Sequence, residues 1–171
     1  MAKQTFELVS PFLSIYAPSR TWGGDSSLLL GQTTNHLLPG EFLSYKADYS
    51  VERGDNSAEP SFAFFSEPGR GDLVTSGKIP VLQFGPYEAD TSIYLRVDNT
   101  GLPAAGLTVG APVSVTNVQH PDVPISADKP CRGIKAAADG EFVVGYISRI
   151  TGTGVNQKIR ILVGIGSNHK A

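Results

Sequence analysis

The sequence has little of what disulfide-bonded, metal-binding and nucleic-acid-binding proteins require. Among its 171 residues there is a single cysteine, Cys131, so no disulfide forms within the chain, and we expect this residue to be a small, partly buried apolar one. His36, His120 and His169 are isolated, without the spacing of a zinc site. A net charge of −2 argues against sequence-independent binding of nucleic acid. We therefore expect no bound metal and no nucleic-acid partner.

Long hydrophobic runs are also missing. No apolar stretch approaches the ~20 residues that a transmembrane helix needs. Residues 1–5 lack the charged start and the following apolar run of a signal peptide. We expect synthesis in a cytoplasm and no membrane partner.

Catalytic motifs are a further absence. The chain contains no Gly-x-Ser-x-Gly elbow, no P-loop and no Gly-x-Gly-x-x-Gly turn that opens a helix. Carboxylates that are distant in sequence still meet in space in some enzymes, such as glycosidases. We predict that the protein is not an enzyme and has no cofactor.

Glycine and proline, by contrast, are abundant, with 19 and 12 residues. Together with the lack of polar helix-forming tracts, this is typical of short strands joined by turns. We predict an all-β fold, an antiparallel β-sandwich or β-barrel. Residues 23–171 are predicted to form a single β-rich domain, and residues 1–22 an extended N-terminal arm.

The clearest strand signal lies in the last forty residues. In residues 155–163, apolar residues alternate with Lys158 and Arg160, the period of a strand with one buried face. Residues 141–150 include a run that is apolar on both faces, and the two glycines of residues 151–154 allow a short reversal. We predict an antiparallel hairpin that closes the core.

Weaker patterns predict further strands and loops. In residues 92–97, Ile93, Leu95 and Val97 are expected to share one face, with Tyr94 and Arg96 on the other. Other predicted strands are 41–47, 61–65, 78–84 and 107–116, the last bent at Gly110 and Pro112, and predicted surface connections are 51–60, 67–72 and 120–131.

The N-terminal arm is rich in apolar residues and is interrupted by Pro11 and Pro18, which exclude a continuous helix. Such an arm either packs on its own domain or lies across a neighbouring protein, and the sequence leaves both open. The candidate contact residues are Phe6, Leu8, Phe12, Tyr16 and Trp22.

Two Arg-Gly-Asp triplets occur, and we expect both on exposed loops. One interpretation is a cell-adhesion ligand, and the other is ordinary turn chemistry with a solvating arginine. The tyrosines offer a similar choice between a carbohydrate platform and packing. The residues concerned are Arg53, Gly54, Asp55, Arg70, Gly71 and Asp72 for the triplets and Tyr45, Tyr49, Tyr87 and Tyr94 for the platform.

Two stretches in the C-terminal half have a recognisable layout. Residues 107–113 read Leu-Thr-Val-Gly-Ala-Pro-Val, and residues 133–147 carry a small-residue turn followed by Val144-Gly145-Tyr146-Ile147. With the last strand over residues 158–163, this layout resembles the small capsid decoration (cement) proteins of tailed bacteriophages. The first hundred residues match nothing in that layout.

The resemblance implies a β-rich, non-catalytic protein on the capsid exterior of a virion. Such a protein binds a shell built from a major capsid protein, often as a homo-oligomer, with a trimer favoured. Many weak contacts repeated by symmetry hold it there, and the arm adds backbone hydrogen bonds to a strand edge of the shell. The alternatives are a phage tail or baseplate component and a carbohydrate- or receptor-binding β module.

Overall fold

The computed structural model describes residues 6–8, 19–24, 40–45, 50–53, 60–64, 78–82, 87–97, 102–119 and 130–163. These residues contain eleven β-strands, one 3₁₀ turn over Gly154–Asn156 and no α-helix. The all-β prediction is therefore confirmed. The strands are β1 (Phe6–Leu8), β2 (Ser19–Gly24), β3 (Phe42–Tyr45), β4 (Ser50–Arg53), β5 (Pro60–Phe64), β6 (Lys78–Leu82), β7 (Tyr87–Thr91), β8 (Pro112–Gln119), β9 (Pro130–Ala136), β10 (Gly145–Thr151) and β11 (Lys158–Val163).

The strands form two sheets. One has six strands in the order β1-β7-β11-β10-β8-β9, and each strand is antiparallel to its neighbours. The other is a closed barrel in the order β2-β4-β3-β5-β6, in which only the β2–β4 pair is parallel. The N-terminal strand β1 is exceptional, because it joins the sheet of the C-terminal strands while β2–β6 form the barrel.

The predicted C-terminal hairpin is confirmed. In β11 the side chains of Ile159, Ile161 and Val163 are buried and alternate with half-buried ones, as the sequence pattern predicts. The first strand of the hairpin begins at Gly145, later than predicted. A Cβ atom at Gly145 would collide with the Leu162 carbonyl oxygen, so this close approach of β10 and β11 requires glycine.

The six-stranded sheet curls until the chain that follows β7 reaches the opposite edge. The Thr91 hydroxyl oxygen accepts a hydrogen bond from the Ile93 amide at 3.0 Å. The Ile134 amide then donates to the Ile93 carbonyl at 3.1 Å, and the Leu95 amide donates to the Ile134 carbonyl at 2.8 Å. Residues 93–95 therefore run parallel to β9 and cover its outer edge.

This closure overturns the predicted strand over residues 92–97. Ile93 and Tyr94 are both buried, at 1% exposure each, whereas Leu95 and Val97 are exposed. Because the chain turns here from β7 toward β9, both of its faces are covered by buried residues. Two consecutive residues are therefore buried, which breaks the period of two.

The core fills the curled sheet. Cys131 packs in a second buried cluster with Ile93 and Val118, and it is buried more completely than expected. Its Sγ lies 3.5 Å from the Val118 carbonyl oxygen, to which the thiol donates. The buried residues of the main cluster are Phe42, Tyr87, Ala89, Tyr94, Leu107, Val113, Val115, Ile134, Val144, Ile147, Ile159, Ile161 and Val163.

The barrel and the six-stranded sheet meet at the start of β3. Phe42 packs into the core of the sheet, and the adjacent Glu41 is fully buried. A Glu41 carboxylate oxygen accepts a hydrogen bond from the Arg132 amide of β9 at 2.9 Å. This bond joins the two sheets through a carboxylate that water does not reach.

Two strands lie where connections were predicted. Strand β4 occupies the start of the predicted 51–60 loop, and β9 begins inside the predicted 120–131 connection. Pro130 is the first residue of β9, a position at which a strand tolerates proline. The mixed composition of β9 hides its strand character, since Arg132, Gly133 and Lys135 lie among its two buried apolar side chains, Cys131 and Ile134.

Candidate interaction surface

Large exposed apolar side chains are concentrated in one stretch of the described chain, residues 95–109. They are Leu95, Val97, Leu102 and Val109, with exposures of 36%, 45%, 49% and 64%. Single exposed apolar residues are ordinary on protein surfaces, whereas several close together indicate an interaction site. This stretch is therefore the candidate functional surface.

Two extended segments, residues 95–97 and 102–104, build most of this surface, and we call them the apolar ribbon. The Val97 amide donates to the Leu102 carbonyl at 2.9 Å, and the Ala104 amide donates to the Leu95 carbonyl at 2.8 Å. Arg96 and Pro103 are antiparallel bridge partners between these bonds. Because side chains alternate along a strand, Leu95, Val97 and Leu102 share the face opposite to Arg96.

Arg96 fixes the ribbon to the body of the protein. Its guanidinium carbon lies 4.9 Å from the centre of the Tyr94 ring, and its Nη2 donates to the Ser92 carbonyl at 3.0 Å. Tyr94 is itself anchored, because its hydroxyl donates to the Gln157 carbonyl at 3.2 Å. Burial raises the pKa of Tyr94 above 10.0, against a smaller lowering by Arg96, so the hydroxyl stays a donor near neutral pH.

Val109 lies at the tip of a tight turn beyond the ribbon. The Ala111 amide donates to the Thr108 carbonyl at 3.0 Å, and Gly110 has a φ of +89°, which favours glycine at this turn position. The Gly110 amide donates to the Ile147 carbonyl at 2.7 Å. The turn is thus tied to β10, and Val109 is held outward on a fixed support.

A hydrogen-bonded carboxylate supports the neighbouring turn at residues 138–141. Glu141 accepts hydrogen bonds from Lys135 Nζ at 2.6 Å, from Ser114 Oγ at 2.7 Å and from the Ala138 amide at 2.9 Å. Lys135 and Ser114 are register partners on β9 and β8, so the network joins two strands to the turn. Burial raises the pKa of Glu141, but the three hydrogen bonds and the lysine charge outweigh it, and the net pKa is below 4.5.

The lowered pKa of Glu141 predicts an acid-dependent contribution to stability. The ionised carboxylate stabilises the folded state fully above its unfolded pKa, and this contribution is lost as the pH falls through the lower, folded pKa. We expect Glu141→Gln to lower the free energy of unfolding by about 2 kcal/mol at neutral pH. The difference from the wild type should shrink as the pH falls through the lowered, folded pKa of Glu141, because the wild-type side chain then also becomes neutral.

Urea unfolding at a series of pH values measures this effect. Asp139→Asn is a matched control, since Asp139 is an exposed carboxylate of the same turn. If the stability difference between wild type and Glu141→Gln were independent of pH, the assigned role of the carboxylate would be wrong.

The arm residues predicted as contacts are only partly within the described chain. Phe6 and Leu8 lie in β1, where their register partners on β7 are Thr91 and Ala89. Trp22 lies in β2 opposite Ile79 of the barrel strand β6. Phe12 and Tyr16 lie outside the described residues, and the contact role of all five stays a prediction.

The backbone pairing of the arm decides how its contact role can be tested. The predicted boundary at residue 22 falls within β2. Removing residues 2–22 would take away β1 and most of a barrel strand, so point substitutions test the arm more cleanly.

Only some of the remaining sequence candidates lie within the described residues. Arg53 is the last residue of β4 and pairs with Leu43, whereas Gly54, Asp55, Arg70, Gly71 and Asp72 lie outside the described residues. Tyr87 and Tyr94 are buried, which excludes them from a carbohydrate platform. Tyr45 lies in β3, and Tyr49 is outside the described residues.

The sequence patterns missed the ribbon because Leu95 and Val97 were grouped with the buried Ile93. One signal did point to it. The Asp-Asn-Thr-Gly run at residues 98–101 has turn chemistry and separates two short apolar segments, the pattern of a small hairpin.

Comparison of the chain with protein-family models, with curated proteins and with solved structures gave no match. Within the described ranges, no three or more histidine, cysteine or acidic side chains are grouped so that they could hold a metal ion. The same residues include no helix with the length and hydropathy needed to cross a membrane.

Proposed function

We propose that this chain is a structural virion protein that binds and stabilises the outer surface of a phage capsid shell. The observation that carries the proposal is the apolar ribbon, which a well-packed β scaffold presents to solvent at Leu95, Val97 and Leu102. Exposed apolar side chains on a fixed backbone suit a protein that works by docking. The resemblance of residues 107–113 and 133–147 to decoration proteins supplies the identity of the shell.

The binding strength follows from repetition. Each apolar side chain of the ribbon contributes about 1–2 kcal/mol when it becomes buried against the shell. Such a contact is weak alone, but copies that bind together on a symmetric shell gain effective concentration. The partner is the major capsid protein, and a homo-oligomer, with a trimer favoured, supplies the repetition. The arm residues would add a second contact by pairing with a strand edge of the shell.

Co-sedimentation with capsids tests this function. The purified chain is mixed with expanded heads and, separately, with unexpanded precursor shells, and bound protein is measured across concentrations. We expect saturable binding to expanded heads and none to precursors. Absence of binding to both shells, or assembly of the chain into rings or tubes, would contradict the proposal and favour a tail component. Saturable binding to a glycan array would favour the receptor-binding alternative.

A further inference from the structure

Strand β1 belongs to a different sheet from the strands that follow it in the sequence. Strands β2–β6 form the barrel, yet β1 lies at the edge of the six-stranded sheet and pairs with β7. Ten residues, 9–18, join it to β2. A connection of this length spans up to about 33 Å when extended, and Pro11 and Pro18 favour extended backbone.

The pairing of β1 with β7 is short. It has three register positions, compared with five between β7 and β11. At its centre Glu7 is opposed to Asp90, and like charges at directly opposed positions destabilise a strand pair. The Asp90 carboxylate is already bound by Arg160, with nitrogen–oxygen distances of 2.8 and 3.0 Å. Short edge strands of this kind detach at a low cost in free energy.

We propose that β1 is exchanged between copies of this chain, so that residues 6–8 of one copy complete the β7 edge of another. The exchanged form keeps all three β1–β7 register pairs and differs only in where the connection over residues 9–18 leads. The extended backbone that Pro11 and Pro18 favour suits a connection that leads away to a second molecule. The partner at the β7 edge is therefore another copy, whichever shell the protein binds.

Directed disulfide formation tests the exchange. Two differently tagged chains, both Cys131→Ala, carry Leu8→Cys in one and Ala89→Cys in the other, at opposed positions of β1 and β7. The chains are refolded together and oxidised. We expect a disulfide-linked product that contains one chain of each tag on a non-reducing gel. Absence of that product would overturn the proposal.

A mass measurement on the full chain gives an independent test. In sedimentation equilibrium we expect the wild type to show a multiple of the single-chain mass. Glu7→Pro/Leu8→Pro, which removes two backbone donors from β1, should show the mass of one chain. Glu7→Ala/Leu8→Ala loses the same side chains but keeps both amides, and it should remain oligomeric. A wild type that is monomeric at all concentrations, or a proline variant that stays oligomeric, would overturn the exchange without bearing on capsid binding.

Discussion

Gly133→Ala is expected to lower the free energy of unfolding by about 2–4 kcal/mol, the largest loss of stability that we predict for a single added methyl group. A Cβ atom at this position of β9 would collide with the carbonyl oxygen of Ile93. It would also lie 2.7 Å from methyl carbons of both Ile93 and Val118. The collision with the Ile93 carbonyl oxygen is decisive, because it can be relieved only if residues 93–95 move away from β9. That movement breaks the hydrogen bonds between Ile134 and both Ile93 and Leu95.

Urea unfolding of Gly133→Ala measures this loss, and Gly140→Ala is the matched control. Gly140 has no atom within 4 Å of its ideal Cβ position, so only its φ of +82° opposes alanine. We expect the control to lose about 1 kcal/mol. Amide hydrogen exchange at Leu95 should rise in Gly133→Ala alone. If the two variants were equally stable, the closure of the sheet by residues 93–95 would be contradicted.

Val97→Asp/Leu102→Asp is expected to weaken binding to the capsid shell by about 100-fold or more. Each substitution removes about 1–2 kcal/mol of apolar contact and places a charge in an interface that excludes water. A total of about 3 kcal/mol corresponds to a factor of roughly 100 in the dissociation constant. Both side chains are nearly half exposed in the free protein, so its stability should change little.

Binding isotherms on expanded heads measure this effect, and Asn117→Asp serves as the control. Asn117 is exposed on β8, outside residues 95–109, and the substitution also adds a negative charge. We expect the control to bind as the wild type does. Undiminished binding of Val97→Asp/Leu102→Asp would show that the ribbon is not the contact, and substitution of Phe12 and Tyr16 in the arm would then be the next test.

The parts of the fold that sequence predicts well are those in which burial follows a simple period. Strand β11 has one face in the core and one outside, so its alternation of Ile159, Arg160 and Ile161 is visible in the sequence. The same reasoning does not predict strand β9. Its edge is covered by residues 93–95, and that close approach requires Gly133, a residue that reads as a turn former.

The candidate surface was harder to predict than the fold. Whether Leu95 and Val97 face the core or solvent depends on the bend after Thr91, which the Thr91 hydroxyl stabilises and which no local pattern encodes. The N-terminal residues were difficult to place for a different reason. Their apolar character is plain, but β1 pairs with residues 89–91, more than eighty positions along the chain, and no sequence period reveals that partner.

Electron microscopy of expanded heads bound by this chain would locate it on the virion. We predict density for the chain on the outside of the shell, with Leu95, Val97 and Leu102 against the major capsid protein. Density in which residues 95–104 face solvent, or a position on the tail instead of the head, would contradict it.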